Sequence, residues 1–282
     1  MPDYRETQDR VTAVFDKQIT FIVGATRWGT AWMQQCLDAH PDICAKGEGH
    51  FTDILFPRVA ELIDTYNADC AKIGNRLQTA GLSGNASGFT YDDVDHLLRT
   101  AVGLIFNRWL AAGEVTHIVE KTPEQVMSLD ILDRIVPGAR VIHVVRDGRD
   151  EALAAWEFNI GLSRSEFPNT YPSFADFAEV FAGNWNRGIN AARRYARVHG
   201  ERFIEIQAEA VTEDPIREVE SLFRFLGVDA DRDMIRACAD TAWDLSPLDL
   251  EAGAWRGSFD DAASRAFTRH AGELLKLLGY ED

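Results

Sequence analysis

Ile19-Thr20-Phe21-Ile22-Val23-Gly24-Ala25-Thr26-Arg27-Trp28-Gly29-Thr30-Ala31-Trp32 is the stretch whose reading decides the fold. A short apolar run rich in β-branched residues reads as a buried strand. It breaks at Gly24 into a loop with one base, Arg27, and a second glycine, Gly29. Apolar residues then return at helical spacing through Trp32, Met33, Cys36 and Leu37, and Pro41 ends the pattern. A strand, a glycine-containing loop and a helix N-terminus together present backbone N–H groups and the positive end of a helix dipole to an anion. The stretch therefore predicts a phosphate- or sulfate-holding loop. No Gly-Lys-Ser/Thr triplet follows, so it is not the usual nucleoside-triphosphate loop. An ordinary tight βα turn is the competing reading of the same residues.

Outward from this stretch, strand and helix patterns alternate. Strands are expected at 18–23, 43–45, 116–120, 140–145 and 202–207. Helices are expected at 30–39, 51–66, 91–112, 124–135, 148–158, 173–199, 214–226, 231–241 and 261–278. This order predicts an α/β fold, one domain over 1–282 with a central, mostly parallel sheet flanked by helices. Residues 1–17 read as a polar N-terminal extension. Gly74 to Gly88 reads as a mobile loop and Gly161 to Pro172 as a second irregular piece, both suited to lie over the carboxyl ends of the strands.

At 282 residues the chain can bury a large core, and its 46% hydrophobic and 26% charged residues are ordinary for a globular protein. A net charge of −16 argues against general binding to nucleic acid or anionic membrane. An anionic ligand has to be held by a few local bases and amides against that overall field. The N-terminus is polar and no apolar run approaches membrane-spanning length, so a cytoplasmic protein without stable membrane insertion is expected. Cys36, Cys44, Cys70 and Cys238 are scattered without metal spacing and read as reduced thiols. No ligand cluster for a metal is visible.

Three further segments carry chemistry. Glu120-Lys121-Thr122-Pro123 follows the strand-like run 116–119 and would set a cation at a strand's carboxyl end, although Pro123 also simply suits a first helical turn. The run 141–145 leads into Arg146-Asp147-Gly148-Arg149-Asp150, a basic turn before a helix. It could pair its own charges, or offer the planar fork of Arg146 to a phosphate. Near the C-terminus, Gly253-Ala254-Trp255-Arg256 precedes an amphipathic helix ending at Leu278-Gly279-Tyr280. His117 and His143 sit within apolar runs and read as satisfied core or interface residues, while Arg217 and Arg224 read as surface charges on a helix.

Taken in order, these segments resemble the PAPS-dependent sulfotransferases (PAPS, 3′-phosphoadenylyl sulfate) of bacterial type over nearly the whole chain. Thr26 to Trp32 is similar to that family's P-loop-like phosphosulfate loop, usually Pro-Lys/Arg-Ser-Gly-Thr-Thr, with Arg27, Gly29 and Thr30 on matching positions and Thr26, Trp28 and Ala31 departing from it. The Arg146 turn resembles the 3′-phosphate motif, with Gly148 in a proline position and Ala154 where the family has serine. The Trp255-Arg256 segment resembles one that folds over the nucleotide, and Arg256 would add charge there. Trp32 stands where relatives stack a tryptophan on adenine, and it reads equally well as a core residue. The Tyr-Glu-Asp-Leu that often follows the family's next strand is replaced by Ala208-Glu209-Ala210-Val211.

The resemblance implies transfer of a sulfonate from PAPS, leaving PAP, to a hydroxyl of a small or lipid-like acceptor, with an amine as second choice. No metal is implied, and a homodimer is left open. Lys121 and Arg27 would stabilise the sulfonate. The histidine base of cytosolic relatives has its position taken here by Pro123. Lys46-Gly47-Glu48-Gly49-His50-Phe51 resembles the segment in which heparan-type and many bacterial relatives carry a glutamate base, which implies Glu48 as the base, with flanking glycines giving it freedom to move. His50 is the reserve. The rival readings are a P-loop ATP-dependent kinase and a catalytically inactive nucleotide-binding protein, the latter suggested by Ala31, Ala154 and Ala208.

Overall fold

The computed structural model describes residues 3–26, 29–82, 87–110, 114–162, 166–245 and 252–280. Its centre is one sheet of five strands, β1 (Gln18–Gly24), β2 (Ile43–Gly47), β3 (His117–Lys121), β4 (Arg140–Val145) and β5 (Phe203–Gln207), in the order β2-β3-β1-β4-β5. Every pairing is parallel, so the sheet is wholly rather than mostly parallel. Parallel neighbours need crossovers, and helices fill both faces. The register sets Lys121 opposite both Ile22 and Gly47, and Gly24 opposite Val144. The loops after all five strands therefore open on one edge, where ligands of open α/β sheets bind.

Along β1 the apolar run divides by strand alternation. Ile22 packs with Trp32, Met33, Leu37, Val144, Ile206 and Phe223 on the face covered by α2 (Thr30–Asp38), α10 (Pro215–Leu226) and α11 (Arg232–Leu245). Ile19, Phe21 and Val23 pack on the other face with Phe51, Leu98, Val102 and Phe106, the last three from α4 (Tyr91–Trp109). A third cluster joins α6 (Gly148–Leu162), α8 (Phe174–His199) and α13 (Asp261–Leu277) through Phe177, Trp185, Phe267 and Leu275.

The helix boundaries follow local chemistry. Thr90 and Asp93 form a reciprocal cap on α4, as Ser173 and Asp176 do on α8. Pro215 opens α10 behind the Asp214 cap, and Gly227 at φ 75° ends it.

Several expectations need correction. The polar segment 1–17 contains a helix, α1 (Tyr4–Val14), which buries Val11 and Val14 and packs on α4. The expected helix over 51–66 begins with a single π-type turn, Phe51–Leu55, and continues as α3 (Phe56–Thr79), which takes in residues 74–79 of the expected loop. Arg76, Leu77 and Gln78 favour the helix enough to outweigh Gly74 in that stretch. Residues 83–86 of the loop lie outside the described residues. The irregular piece after Gly161 carries the short helix α7 (Glu166–Thr170). Short helices α5 (Leu129–Ile135), α9 (Ala208–Glu213) and α12 (Trp255–Ser258) complete the chain. All four cysteines are free, three of them buried and Cys70 half-buried.

Candidate active site

The described residues on either side of 27–28, after β1, suit an anion cradle. Gly24 lies at φ 114°, and a Cβ there would stand 2.2 Å from the Val144 carbonyl oxygen, so only glycine fits where the chain leaves the sheet. Gly29, at φ 95°, is the N-cap of α2 and brings no capping side chain, which leaves first-turn N–H groups for an outside acceptor. The Thr30 hydroxyl donates to the Ala25 carbonyl at 3.2 Å and braces the loop. Ala31 is exposed in the first turn of α2. Thr26 is held from across the cleft: its N–H donates to Glu151 Oε1 at 2.8 Å and its hydroxyl to the same atom at 3.2 Å. Arg27 and Trp28 lie outside the described residues. Trp32 does not serve as an adenine platform here. It has no exposed surface and packs edge-on against Trp243 at 5.7 Å, because helical spacing turns it into the core.

The turn from β4 into α6 forms the second pole. Arg146 is 4% exposed and lies among the carboxylates of Asp150, Glu151, Glu209 and Asp147. Burial pulls its basicity down, and those acids oppose the shift. Arg149 binds the Asp147 carboxylate through two nitrogens, donates to the Tyr280 carbonyl and stacks on Trp255 at 3.8 Å. Asp150 accepts the N–H groups of Gly253 and Trp255 at 2.7 and 2.9 Å. The C-terminal segment is thereby latched onto this turn. The Trp255 ring has the Arg149 guanidinium at 3.8 Å and that of Arg256, an exposed residue, at 4.9 Å. Ala154, one to two turns along α6, is half-buried and offers no hydroxyl. Ala208 is fully buried beneath Gly29, and Tyr280 reaches the site from the far end of the chain, donating its hydroxyl to Glu209 at 2.9 Å. A glycine-only cradle, an uncapped helix and a buried arginine fit a nucleotide with two separate phosphate groups.

On the other side of β1, the carboxyl ends of β2 and β3 bring Glu48, His50 and Lys121 together. Lys121 Nζ donates to Glu48 Oε1, and His50 Nε2 lies 3.2 Å from Glu48 Oε2. His50 Nδ1 lies 2.7 Å from Asp53 Oδ2, so one imidazole spans two carboxylates. The π-type turn makes this possible, since both Ile54 and Leu55 donate to the His50 carbonyl and Asp53 comes back beneath the ring. His50 itself lies in the left-handed region at φ 48°, an unusual place for a residue with a side chain. Burial pushes the Glu48 carboxyl up, but Lys121 and His50 outweigh it and hold the group below its ordinary range. Burial pushes His50 down, and Asp53, Glu124 and Glu48 reverse this to raise it. The flanking glycines do not supply freedom as expected. Gly47 ends a strand, and a Cβ on Gly49 would stand 2.4 Å from the Phe51 ring.

Glu120 organises this side from below. Its carboxylate, with no exposed surface, accepts from the Gly49 N–H at 2.6 Å, the Thr122 hydroxyl and the Gln125 amide at 2.8 Å. Burial raises its pKa to about 7, against those three bonds and Lys121. Strand alternation sends Glu120 inward and Lys121 into the cleft. Pro123 opens a 3₁₀ turn and, with Glu124, borders a cavity of about 440 Å³. The cavity runs from Gly24, Ala25 and Thr26 to Val126, Met127, Phe181, Trp185 and Ile189.

Several residues of the site, Glu209 among them, were not singled out from the sequence. Asp53 carried a signal in Glu48-x-His50-x-x-Asp53, and Glu120 in its alternation with Lys121. Glu151 carried none, because its partner Thr26 is 125 residues away. His143 is buried and tied to Glu205, as a satisfied core residue, while His117 is half-buried and its Nε2 lies 3.0 Å from the Leu226 carbonyl. Among the described residues one group has metal-ligand spacing: His50, Asp53 and Glu124, with atoms within 4.8 Å of one another. No helix among them is long and apolar enough to cross a membrane.

Residues 20–232 match the model of the sulfotransferase family. The chain is 25% identical over 215 residues to protein-tyrosine sulfotransferase 1 of Danio rerio, covering 76% of this chain and 54% of that protein. It is 32% identical over 136 residues to the Homo sapiens protein of that name, covering 48% and 32%. It thus spans about half or less of the length of these relatives. Among solved structures, it is similar to sulfotransferase STF9 from Mycobacterium avium with a TM-score of 0.60 and 14% identity, covering 97% of this chain and 80% of that one. Mouse sulfotransferase SULT7A1, solved with PAP, gives 0.53 and 14%, covering 97% and 94%. The chain belongs to the sulfotransferase family.

Proposed function

We propose that the chain transfers a sulfonate from PAPS to the hydroxyl of a small, largely apolar acceptor. The observation that carries the reading is the pairing of Lys121 with Glu48 at the ends of β3 and β2, with the Gly24–Gly29 loop and Arg146 following the adjacent strands. When bound, PAPS supplies an activated sulfonate whose bond to the phosphate oxygen breaks as the acceptor oxygen attacks sulfur. The chain's part is positioning and electrostatics, as in phosphoryl transfer. The loop amides and the α2 N-terminus would take the phosphosulfate, with Thr26, Arg27 and Thr30 shaping the loop. Arg146 would take the 3′-phosphate, with Arg256 above it.

Lys121 supports the departing oxygen and Glu48 takes the acceptor's proton. Held below its ordinary range, Glu48 is ionised and ready at neutral pH. Its bond to Lys121 has to loosen as the ammonium turns to the sulfonate, which makes base release depend on donor binding. His50, fixed by Asp53, holds the second oxygen of Glu48. The apolar walls of Val126, Met127, Phe181 and Trp185 between the donor loop and Glu124 favour an apolar acceptor.

The test is sulfonate transfer from PAPS over a panel of uncharged alcohols, phenols and amines. The reading expects sulfonated product from apolar hydroxyl compounds, formed about 10²–10⁴ times more slowly by Glu48→Gln. Product from amines alone contradicts the acceptor class, and no PAP formed from PAPS with any compound contradicts transfer.

A further inference from the structure

We propose that Glu151 is a donor-site residue that senses nucleotide charge: it holds the β1–α2 loop through Thr26 and gains a proton as the polyanionic donor enters. The inference rests on the PAPS reading above. Glu151 stands in the first turn of α6, is 4% exposed, and borders the cavity at the donor loop. Its position is that of an anion already seated on the loop, with a backbone N–H and a hydroxyl directed at it.

The charges around it do not suit an incoming polyanion. Asp147, Asp150, Glu151 and Glu209 cluster about Arg146, with Arg149 beside them. A donor with two phosphate groups brings further negative charge into the same low-dielectric space, where like charges repel strongly. One acid has to yield.

Three of the four are committed as acceptors through contacts that protonation would disturb. Asp147 uses both oxygens on Arg149. Asp150 uses one oxygen on Gly253 and the other on Trp255. Glu209 uses one on the Asp147 N–H and the other on the Tyr280 hydroxyl. Glu151 makes both its contacts to Thr26 through Oε1 alone. A proton on Oε2 therefore leaves the loop tether intact and turns a repelling oxygen into a donor. Burial, with Glu209 adding to it, already holds this carboxyl above its usual range, against Thr26 and Arg146. Among the described residues, the other titratable groups bordering the cavity are His143, which is tied to Glu205, and Glu124 and Arg187.

The experiment is calorimetric titration of PAP into wild type, Glu151→Gln and Glu151→Ala, from pH 6 to 8, in buffers of different ionisation enthalpy. The proposal expects wild type to take up more protons than Glu151→Gln, by up to about one per PAP, with PAP's own protonation cancelling in the difference. Wild-type affinity then falls with pH more steeply than that of Glu151→Gln, by up to about tenfold per unit. Glu151→Gln binds PAP more tightly at pH 8, whereas Glu151→Ala, which loses the tether, does not gain as much. Equal proton counts and equal pH slopes overturn the proposal, as does weaker binding by a folded Glu151→Gln. If the variants do not fold, wild type alone decides: proton uptake no greater than PAP's own titration accounts for overturns it. Absence of PAP binding to wild type at every pH overturns the donor reading instead.

Discussion

Arg146→Ala probes the nucleotide site through two effects whose sizes follow from where the side chain lies. Arg146 is 4% exposed at the end of β4. A bond from a buried guanidinium to a phosphate contributes about 2–3 kcal/mol. At about 1.4 kcal/mol per tenfold, PAP dissociation should weaken by roughly 30- to 150-fold. The second effect concerns the fold. Arg146 draws down the pKa of Glu151 and of Glu209, both of which burial holds above the usual carboxylate range. Without it both rise further. An acid with a raised folded-state pKa binds more protons folded than unfolded, so stability falls as pH climbs through the interval between the two values. Arg146→Ala should therefore melt well below wild type at pH 8 and regain part of the difference on acidification. Arg146→Lys keeps the charge but not the fork, so it should melt close to wild type and still bind PAP more weakly. Calorimetry with PAP and thermal melts at two pH values measure both effects. A folded Arg146→Ala that binds PAP within threefold of wild type would refute the assignment of Arg146 to the 3′-phosphate.

Lys121→Ala should lower turnover by about 10²–10³ with PAP affinity little changed, because its charge matters most as the S–O bond breaks; unchanged turnover in a folded variant rejects that role. Removing Lys121 also frees Glu48 to rise, so the acid limb of kcat/KM should move to higher pH in Lys121→Met, and a limb that stays in place removes Glu48 as the titrating group. Glu48→Gln should slow transfer by about 10²–10⁴ with PAP binding preserved, since a neutral His50 donating to Asp53 can accept from the new amide. If His50→Ala abolishes transfer while Glu48→Gln does not, His50 is the base. Prolonged treatment with a chelator should leave transfer unchanged; loss that a divalent ion restores would assign a metal to His50, Asp53 and Glu124.

What was legible in the sequence was what short-range patterning determines. The five strands were placed within about two residues, because β-branched apolar runs bounded by glycine, proline or charge leave little choice. The loop at 24–30, Lys121 at a strand end, the Arg146 turn and the Glu48–His50 pair are each contiguous segments, and the parallel sheet delivers their ends to one edge. What was not legible depends on distant partners. Glu151 is defined by Thr26, and Glu209 by Tyr280, 71 residues on. Trp32 was open between nucleotide and core, and Trp243 in α11 decides for the core. Glycines 47 and 49 looked like hinges, whereas close packing on Lys121 and Phe51 explains them. The helix over 4–14 was missed because its polar sequence hides two valines that α4 buries.

The central claim is a donor with phosphates at both the β1 loop and the Arg146 turn, and a thermal melt with PAP and ATP side by side tests it most directly. A ligand at 100 times its dissociation constant stabilises the native state by about 2.7 kcal/mol, a rise of roughly 5 °C in Tm for a chain of this size. The account predicts that rise with PAP and a far smaller one with ATP at equal concentration. Equal shifts with the two nucleotides, or no shift with either, would contradict it.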